Sequence, residues 1–391
     1  MMVEAKLRFK ADDGSDFPDW EEKTLGELAN LFTGKSFTSE LSESGRYVVM
    51  DMGSVSSDGL IIDSKLTDSN RDLLRKGDLI MPKDDIGGGL IIGKTAYIPC
   101  DKKYVCGDHV YGLRFDNGID ALFMHYEINS SRTQKRLRRK VTGSAQLGLN
   151  SKSVLYEIVS VPSFPEQRKI ADLLSAVDDV ISAQEAEVTA WEKRKKGVMQ
   201  KLFSQEVRFK ADDGSDFPDW EEKTLGDICM YERQRSEGAN FVGTENMLKD
   251  FGGVTFDNSN ADGSGTLYHP GDTLMSNIRP YLKKAWLADR KGTCSTDVLV
   301  FHPTSVEPGY LYWLIASDAF VRYVMSAAKG SKMPRGDKKH IMEMPLLLPN
   351  KDEQRKIDDC LSSLNDVIIK AKNELAKWQE LKKGLLQQMF V

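Results

Sequence analysis

The chain predicts an α+β fold: two tandem mixed α/β bodies, each closed by one long amphipathic helix. Three observations carry that prediction. A segment of 20 residues is repeated almost unchanged, a second and shorter repeat opens a helical run in each half, and β-rich stretches with shared punctuation lie between them. The boundaries that follow are 1–162 for the first body with its lead segment and 163–206 for the first helix. The second body with its lead segment takes 207–348, and the second helix 349–391.

The lead segment LRFKADDGSDFPDWEEKTLG at 7–26 returns at 207–226, differing only at Leu7 against Val207. It is acidic: Asp12, Asp13, Asp16, Asp19, Glu21 and Glu22 all reappear in the second copy. The bodies differ in sequence but align in their signals. Gly77-Asp78-Leu79-Ile80-Met81 parallels Gly271-Asp272-Thr273-Leu274-Met275, and Ala96-Tyr97-Ile98 parallels Ala285-Trp286-Leu287. Short runs such as VVMDMGSVSS and GGVTFDN, bounded by Gly, Asp and Asn, read as strands. Each body then carries one helical stretch, ALFMHYEINSSRTQKRLRRK or GYLYWLIASDAFVRYVMSAAKG, before a turn at Gly143-Ser144 or Gly330-Ser331.

The closing helices begin at a second repeat, EQRKI at Glu166–Ile170 and again at Glu353–Ile357. Apolar positions then recur in steps of four and three. The first seam is Ile170, Leu174, Val177, Ile181, Val188, Trp191, Val198 and Leu202; the second is Ile357, Leu361, Leu364, Ile368, Leu375, Trp378, Leu385 and Met389. Gln184 and Lys195, and Ala371 and Lys382, fill the intervening seam positions. Heptads sustained over this length predict a coiled coil. A polar cap, Ser163 or Asn350, stands three residues before a glutamate at each start, the pattern of a capping box. At 1.5 Å per residue such helices are rods of about 60 Å.

Composition limits the function. With 391 residues and 40% hydrophobic side chains the chain can build more than one core, and its net charge of -5 argues against nucleic-acid binding by bulk positive charge. Any such surface must be local. The five cysteines are scattered and never spaced CxxC, which predicts neither a disulfide framework nor a zinc knuckle and fits a reducing compartment. No apolar leader or membrane-length run is present, so a soluble, cytoplasmic protein is expected.

One stretch imitates a nucleotide site. Gly88 to Thr95, GGLIIGKT, satisfies the phosphate-loop pattern. That loop must lead into a helix, yet AYIPCDKKYV follows, β-prone and containing Pro99. Leu90-Ile91-Ile92 reads as a strand, and Leu282 stands in the second body where the motif glycine Gly93 stands in the first. A turn entering a strand is the better reading. The Asn/Asp-Pro-Pro-aromatic loop of an amino-methyltransferase is lacking. The five histidines keep no metal-ligand spacing, and Asp84-Asp85 has no acidic counterpart in the second body. The chain therefore reads as non-catalytic, with no metal.

What remains is positive charge in polar loops. In the first body these residues are Lys83, Arg132, Lys135, Arg136, Arg138, Arg139 and Lys140, followed by Ser144, Gln146, Asn150 and Lys152. In the second they are Asn277, Arg279, Lys283, Lys284, Lys329, Ser331, Lys332, Arg335, Lys338 and Lys339. Lysine and arginine neutralise phosphates, while Arg, Asn and Gln match base edges in pairs of hydrogen bonds. A solvated helix face explains the arginine run taken alone; its recurrence at the same place in both bodies favours DNA.

The alternation of variable bodies with repeated helices, the DFPDWEEKTLG lead, the shared GD punctuation and EQRKIADLLSAVDDVI together resemble the DNA-specificity (S) subunit of Type I restriction-modification systems. The resemblance covers essentially the whole chain. It implies two target-recognition domains separated by the two helices as an antiparallel coiled coil with pseudo-two-fold symmetry. Each domain would read one half of an asymmetric bipartite site in double-stranded DNA. It implies no catalysis in this chain: two methyltransferase subunits would dock on it, with restriction subunits joining them. S-adenosylmethionine, ATP and Mg would be used by those partners, in a prokaryotic cytoplasm. Two other classes stay open, a tandem-repeat protein-binding scaffold without DNA sequence readout and an enzyme acting through GGLIIGKT or as a nuclease.

Overall fold

The computed structural model describes residues 6–63, 65–144, 146–256 and 262–390. It divides into two compact units. The first runs to Glu185 and includes the chain from Asn373 onward; the second is Ala186–Lys372.

In the first unit β1 (Ala29–Phe32), β2 (Leu79–Pro82), β3 (Ala96–Tyr97) and β4 (Val110–Phe115) form an antiparallel sheet in the order β1-β4-β2-β3. Its central strands are mostly apolar, with Arg114 near the end of β4 as the charged exception, because both faces are covered. Leu79, Met81 and Leu113 face a core shared with α1 (Ala121–Asn129), α2 (Ser131–Arg139) and α3 (Phe164–Phe203). Ile80 and Val110, one residue out of phase, face a second core with Val48, Met50 and Cys106 from a smaller sheet.

The second unit repeats this plan. β5 (Cys229–Tyr231), β6 (Thr273–Ser276), β7 (Ala285–Leu287) and β8 (Val298–Pro303) pair in the order β5-β8-β6-β7, all antiparallel. Met275, Leu299 and Phe301 face α4 (Pro308–Ile315), α5 (Asp318–Ser326) and the long helix α6 (Lys351–Met389), while Leu274, Val298 and Val300 face the other way. Bodies unlike in sequence thus share strand order and phase.

The single helical stretch expected in each body is two helices. Ser130 and Ser317 interrupt the runs, and each side chain accepts the N–H three residues on, from Thr133 at 3.3 Å and from Phe320 at 3.1 Å. A serine that caps competes with the helix it would otherwise continue. VVMDMGSVSS is a strand only to Met50 and then a 3-10 turn. In GGVTFDN Val254 makes one isolated bridge to Met247, and the last two residues lie outside the described ones.

Every seam position along α3 and α6 is buried or half-buried. Within the first unit Lys382 pairs with Asp178 at 2.5 Å; within the second Lys195 donates to Asn365 at 2.9 Å and Lys372 pairs with Glu192 at 2.6 Å. The start of each helix therefore lies beside the end of the other, and the pair is antiparallel. Their ends close the two cores, with Ile170, Leu174, Met389 and Phe390 in one and Ile357, Leu361, Met199 and Leu202 in the other.

The two sequence repeats prove to be one physical module. Glu166, fully buried, accepts from Arg8 of the lead segment at 3.1 and 2.9 Å, and Lys169 reaches Asp12 at 2.6 Å. Glu353 likewise accepts from Arg208 at 3.1 and 2.8 Å, and Lys356 reaches Asp212. The capping box is consequently not formed. Asn350 caps α6 through the Glu353 N–H at 2.8 Å, but the buried Ser163 hydroxyl has no partner, and both glutamates clamp the lead segment instead. A buried carboxylate needs a cation more than the helix end needs a second cap.

Candidate nucleic-acid interface

Beyond β2 the first body builds a pair of loops. Asp84-Asp85 pairs with Leu147-Gly148, the Leu149 N–H donates to the Lys83 carbonyl at 2.8 Å, and Thr142 bridges Gly148. Two distant stretches, 83–93 and 142–150, thereby become neighbours. GGLIIGKT is one of them. No strand forms at Leu90-Ile91-Ile92, contrary to the sequence expectation, because Gly88, Gly89 and Gly93 take positive φ and bend the chain before β3. Asp85, buried, holds this loop by accepting from the Gly87 and Ile91 N–H groups at 2.5 and 3.0 Å. Asp84 accepts from His109 Nδ1 at 2.9 Å, so the acidic pair serves the loop. That hydrogen bond raises the His109 pKa, which favours a cation at the loop base.

On this loop pair Ser144, Gln146 and the apolar Ile86 and Leu90 are exposed, Ile86 to 70%. Lys83 is half-buried, its ammonium 5.8 Å from the Tyr111 ring. Asn150 caps the short helix that follows by accepting from Ser153 at 2.8 Å, while Lys152 is exposed near Tyr156.

The second body repeats the arrangement after β6. Ile278 and Lys329 both bridge Arg335, the Arg279 N–H donates to the Pro334 carbonyl at 2.8 Å, and Asn277 donates to the Gly336 carbonyl at 3.3 Å. Arg279, Lys329, Ser331, Lys332 and Arg335 are exposed on the resulting pair. Arg335 and Lys329 are tethered to Asp297 and Asp337 at 3.2 and 2.9 Å. Asn277 is buried, with its side-chain oxygen unpartnered. Lys284 donates to the Thr244 carbonyl at 2.7 Å, and Lys283 pairs with Asp318 at 2.8 Å.

The arginine run separates into two groups. Arg136 and Lys140 hold the buried carboxylate of Glu157 at 2.5 and 2.6 Å, an internal role. Lys135, Arg138 and Arg139 are exposed and, among the described residues, make no ion pair; Arg132 lies 3.9 Å from Glu22. Sequence reasoning missed Arg233 and Arg235. Both line a cleft of about 720 Å³ with Lys338 and Lys339, residues that only the tertiary fold brings together. Their closeness in YERQRSEG was a weak signal of charge.

Among the described residues no group of three or more His, Cys, Asp or Glu could hold a metal ion. Nor is any helix among them long and apolar enough to cross a membrane.

Each unit thus carries an antiparallel sheet followed by a pair of polar loops. The chain matches the Type I restriction modification DNA specificity domain over residues 18–190 and again over 218–378, and belongs to that family as a specificity subunit. It is similar to the MjaVIII specificity subunit of Methanocaldococcus jannaschii, 21% identical across 98% of this chain and 95% of that one. A 24% identical stretch of 127 residues, 32% of this chain and 28% of the other, relates it to the EcoDI specificity subunit of Escherichia coli. Its fold is shared with the S subunit from M. genitalium, with a TM-score of 0.67 at 16% identity over 100% and 99% of the two chains.

Proposed function

We propose that each body reads one half of an asymmetric bipartite DNA site, while α3 and α6 set the distance between the half-sites and dock methyltransferase subunits. The observation that carries this reading is the recurrence of the loop pair. Stretches 83–93 with 142–150, and 277–284 with 329–336, follow equivalent strands in bodies of unrelated sequence. A shared frame with divergent loops suits a shared task with different targets. Lys83, Arg279, Lys329, Lys332 and Arg335 supply phosphate contacts in this reading, and Gln146 and Ser144 supply base contacts. Lys135, Arg138, Arg139 and Lys152, with Lys338 and Lys339, extend the positive surface. The internal bonds of Arg136, Lys140, Asn150, Asn277 and Lys284 assign them to support. Methyl transfer with S-adenosylmethionine, and ATP and Mg chemistry, belong to partner subunits in this reading.

The test is to co-express the chain with its methyltransferase partner and map adenine methylation on a plasmid library. One bipartite motif is expected, changing on one side only when residues 27–160 are exchanged for another body. A complex that assembles but methylates no defined motif would leave a scaffold.

A further inference from the structure

The internal repeat exposes a site that its second copy fills and its first leaves open. In the second unit Asp318, the first residue of α5, sits between two lysines, with Lys196 of α3 at 2.7 Å and Lys283 of the loop after β6 at 2.8 Å. These two hydrogen bonds hold the Asp318 carboxyl below its usual range. The repeat aligns Lys196 with Lys383, Lys283 with Lys94, and Asp318 with Ser131, which follows the capping Ser130 as Asp318 follows the capping Ser317. The first unit thus keeps both lysines and replaces the carboxylate that bridges them with a hydroxyl.

Lys94, Lys383 and Ser131 line one cleft of about 750 Å³ in that unit, together with Lys135 and Arg139. Its wall carries one carboxylate, the exposed Asp58. Among the described residues neither Lys94 nor Lys383 has an ion-pair partner, although Lys94 is half-buried. Burial, and then the charge of Arg138, depress the Lys94 pKa; Asp58 opposes this and Lys382 adds to it, with a net lowering. Lys382 itself is committed to Asp178.

We infer that the first unit binds a phosphate oxyanion where the second unit carries the Asp318 carboxylate, with Lys94 and Lys383 as its counter-ions and Ser131 as a hydroxyl donor. A phosphate group brings the negative oxygens that Asp318 supplies in the other copy, and three or more acceptors for the surrounding cations. The lysine of GGLIIGKT therefore meets phosphate, but through a cleft shared with α2 and α6 instead of through a nucleotide-cradling loop. The inference goes beyond base reading by the loop pairs and does not depend on it.

The experiment titrates inorganic phosphate into the full-length chain at constant ionic strength and counts sites by calorimetry. The expected stoichiometry is one for the native chain. Ser131→Asp, which installs the second unit's own solution, should lose at least ten-fold in affinity while folding normally, since an acid in a first helical turn is favourable. Lys94→Met, which makes the same one-unit decrease in net charge by removing a cation instead of adding an anion, should show the same loss. Asp318→Ser should create a second site. Phosphate binding unchanged in both Ser131→Asp and Lys94→Met would overturn the inference. Duplex DNA separates the two sources of phosphate. If Ser131→Asp also weakens binding to all sequences alike and lowers the salt slope by about one, the DNA backbone occupies the site. If phosphate binding is lost and duplex binding is not, the ligand is a small phosphorylated molecule.

Discussion

Glu127 shows how a single buried group shapes stability. It is enclosed in the first core, accepting from the Thr133 hydroxyl at 3.2 Å and the Ser160 N–H at 3.4 Å, and burial pushes its carboxyl up to about 7 from an ordinary 4.5. The folded chain then keeps a proton that the unfolded chain releases. The contribution of Glu127 to stability is full below about pH 4.5, falls as pH rises toward 7, and levels off above it. Glu127→Gln, which retains the accepting oxygen, should leave urea unfolding unchanged at pH 4 and stabilise by up to about 3 kcal/mol at pH 8. The lead segments offer a second residue-scale comparison. Trp220 donates to Glu353 at 3.0 Å, whereas the buried Trp20 nitrogen has no partner. Arg8→Met should therefore destabilise its unit more than Arg208→Met destabilises the other, by about 1 kcal/mol. Hydrogen exchange over 7–24 and 207–224 reads the difference. The repeats were visible as letters; that Glu166 serves Arg8 and not the helix cap was not, because a capping box and a buried ion pair share the same spacing at the helix start.

At the scale of elements, the loop pairs depend on glycine where the chain turns back. Gly143 has φ near +103° and Gly330 near +101°, and a Cβ on Gly143 would strike the Gln146 carbonyl. Gly143→Ala should cost roughly 1–3 kcal/mol and misplace Ser144 and Gln146. The expected result is relaxed sequence preference on one half-site only, scored from methylation maps. The strand order of each sheet could be anticipated only as β-rich character. Pairing of 83–93 with 142–150 is a contact between distant segments, and periodicity says nothing about it. The division of each helical stretch at Ser130 and Ser317 was readable in principle, since both serines stand before helical sequence, but the unbroken apolar pattern concealed it.

For the whole chain, the proposed spacing role of α3 and α6 makes a length prediction. Deleting four residues from each helix, at positions that preserve the antiparallel ion pairs, shortens each by about 6 Å. The non-specific gap in the methylated motif should contract by about two base pairs, at 3.4 Å each. An unchanged gap would refute the spacing role without touching the assignment of half-sites to bodies.

Heptad steps, near-identical repeats and shared punctuation are local properties. By itself the sequence determined the two halves, the long helices, their buried seam and the family. Those signals need no knowledge of what touches what, because side-chain period and helix phase are set within a few residues. Tertiary structure alone decided which cations are spent internally and which remain available. Arg136 and Lys140 look like Arg138 and Arg139 until Glu157 is brought beside them, and Lys94 looks like part of a nucleotide loop until Ser131 and Lys383 share its cleft. Charge acts through space, and its neighbours in space come from distant parts of the chain.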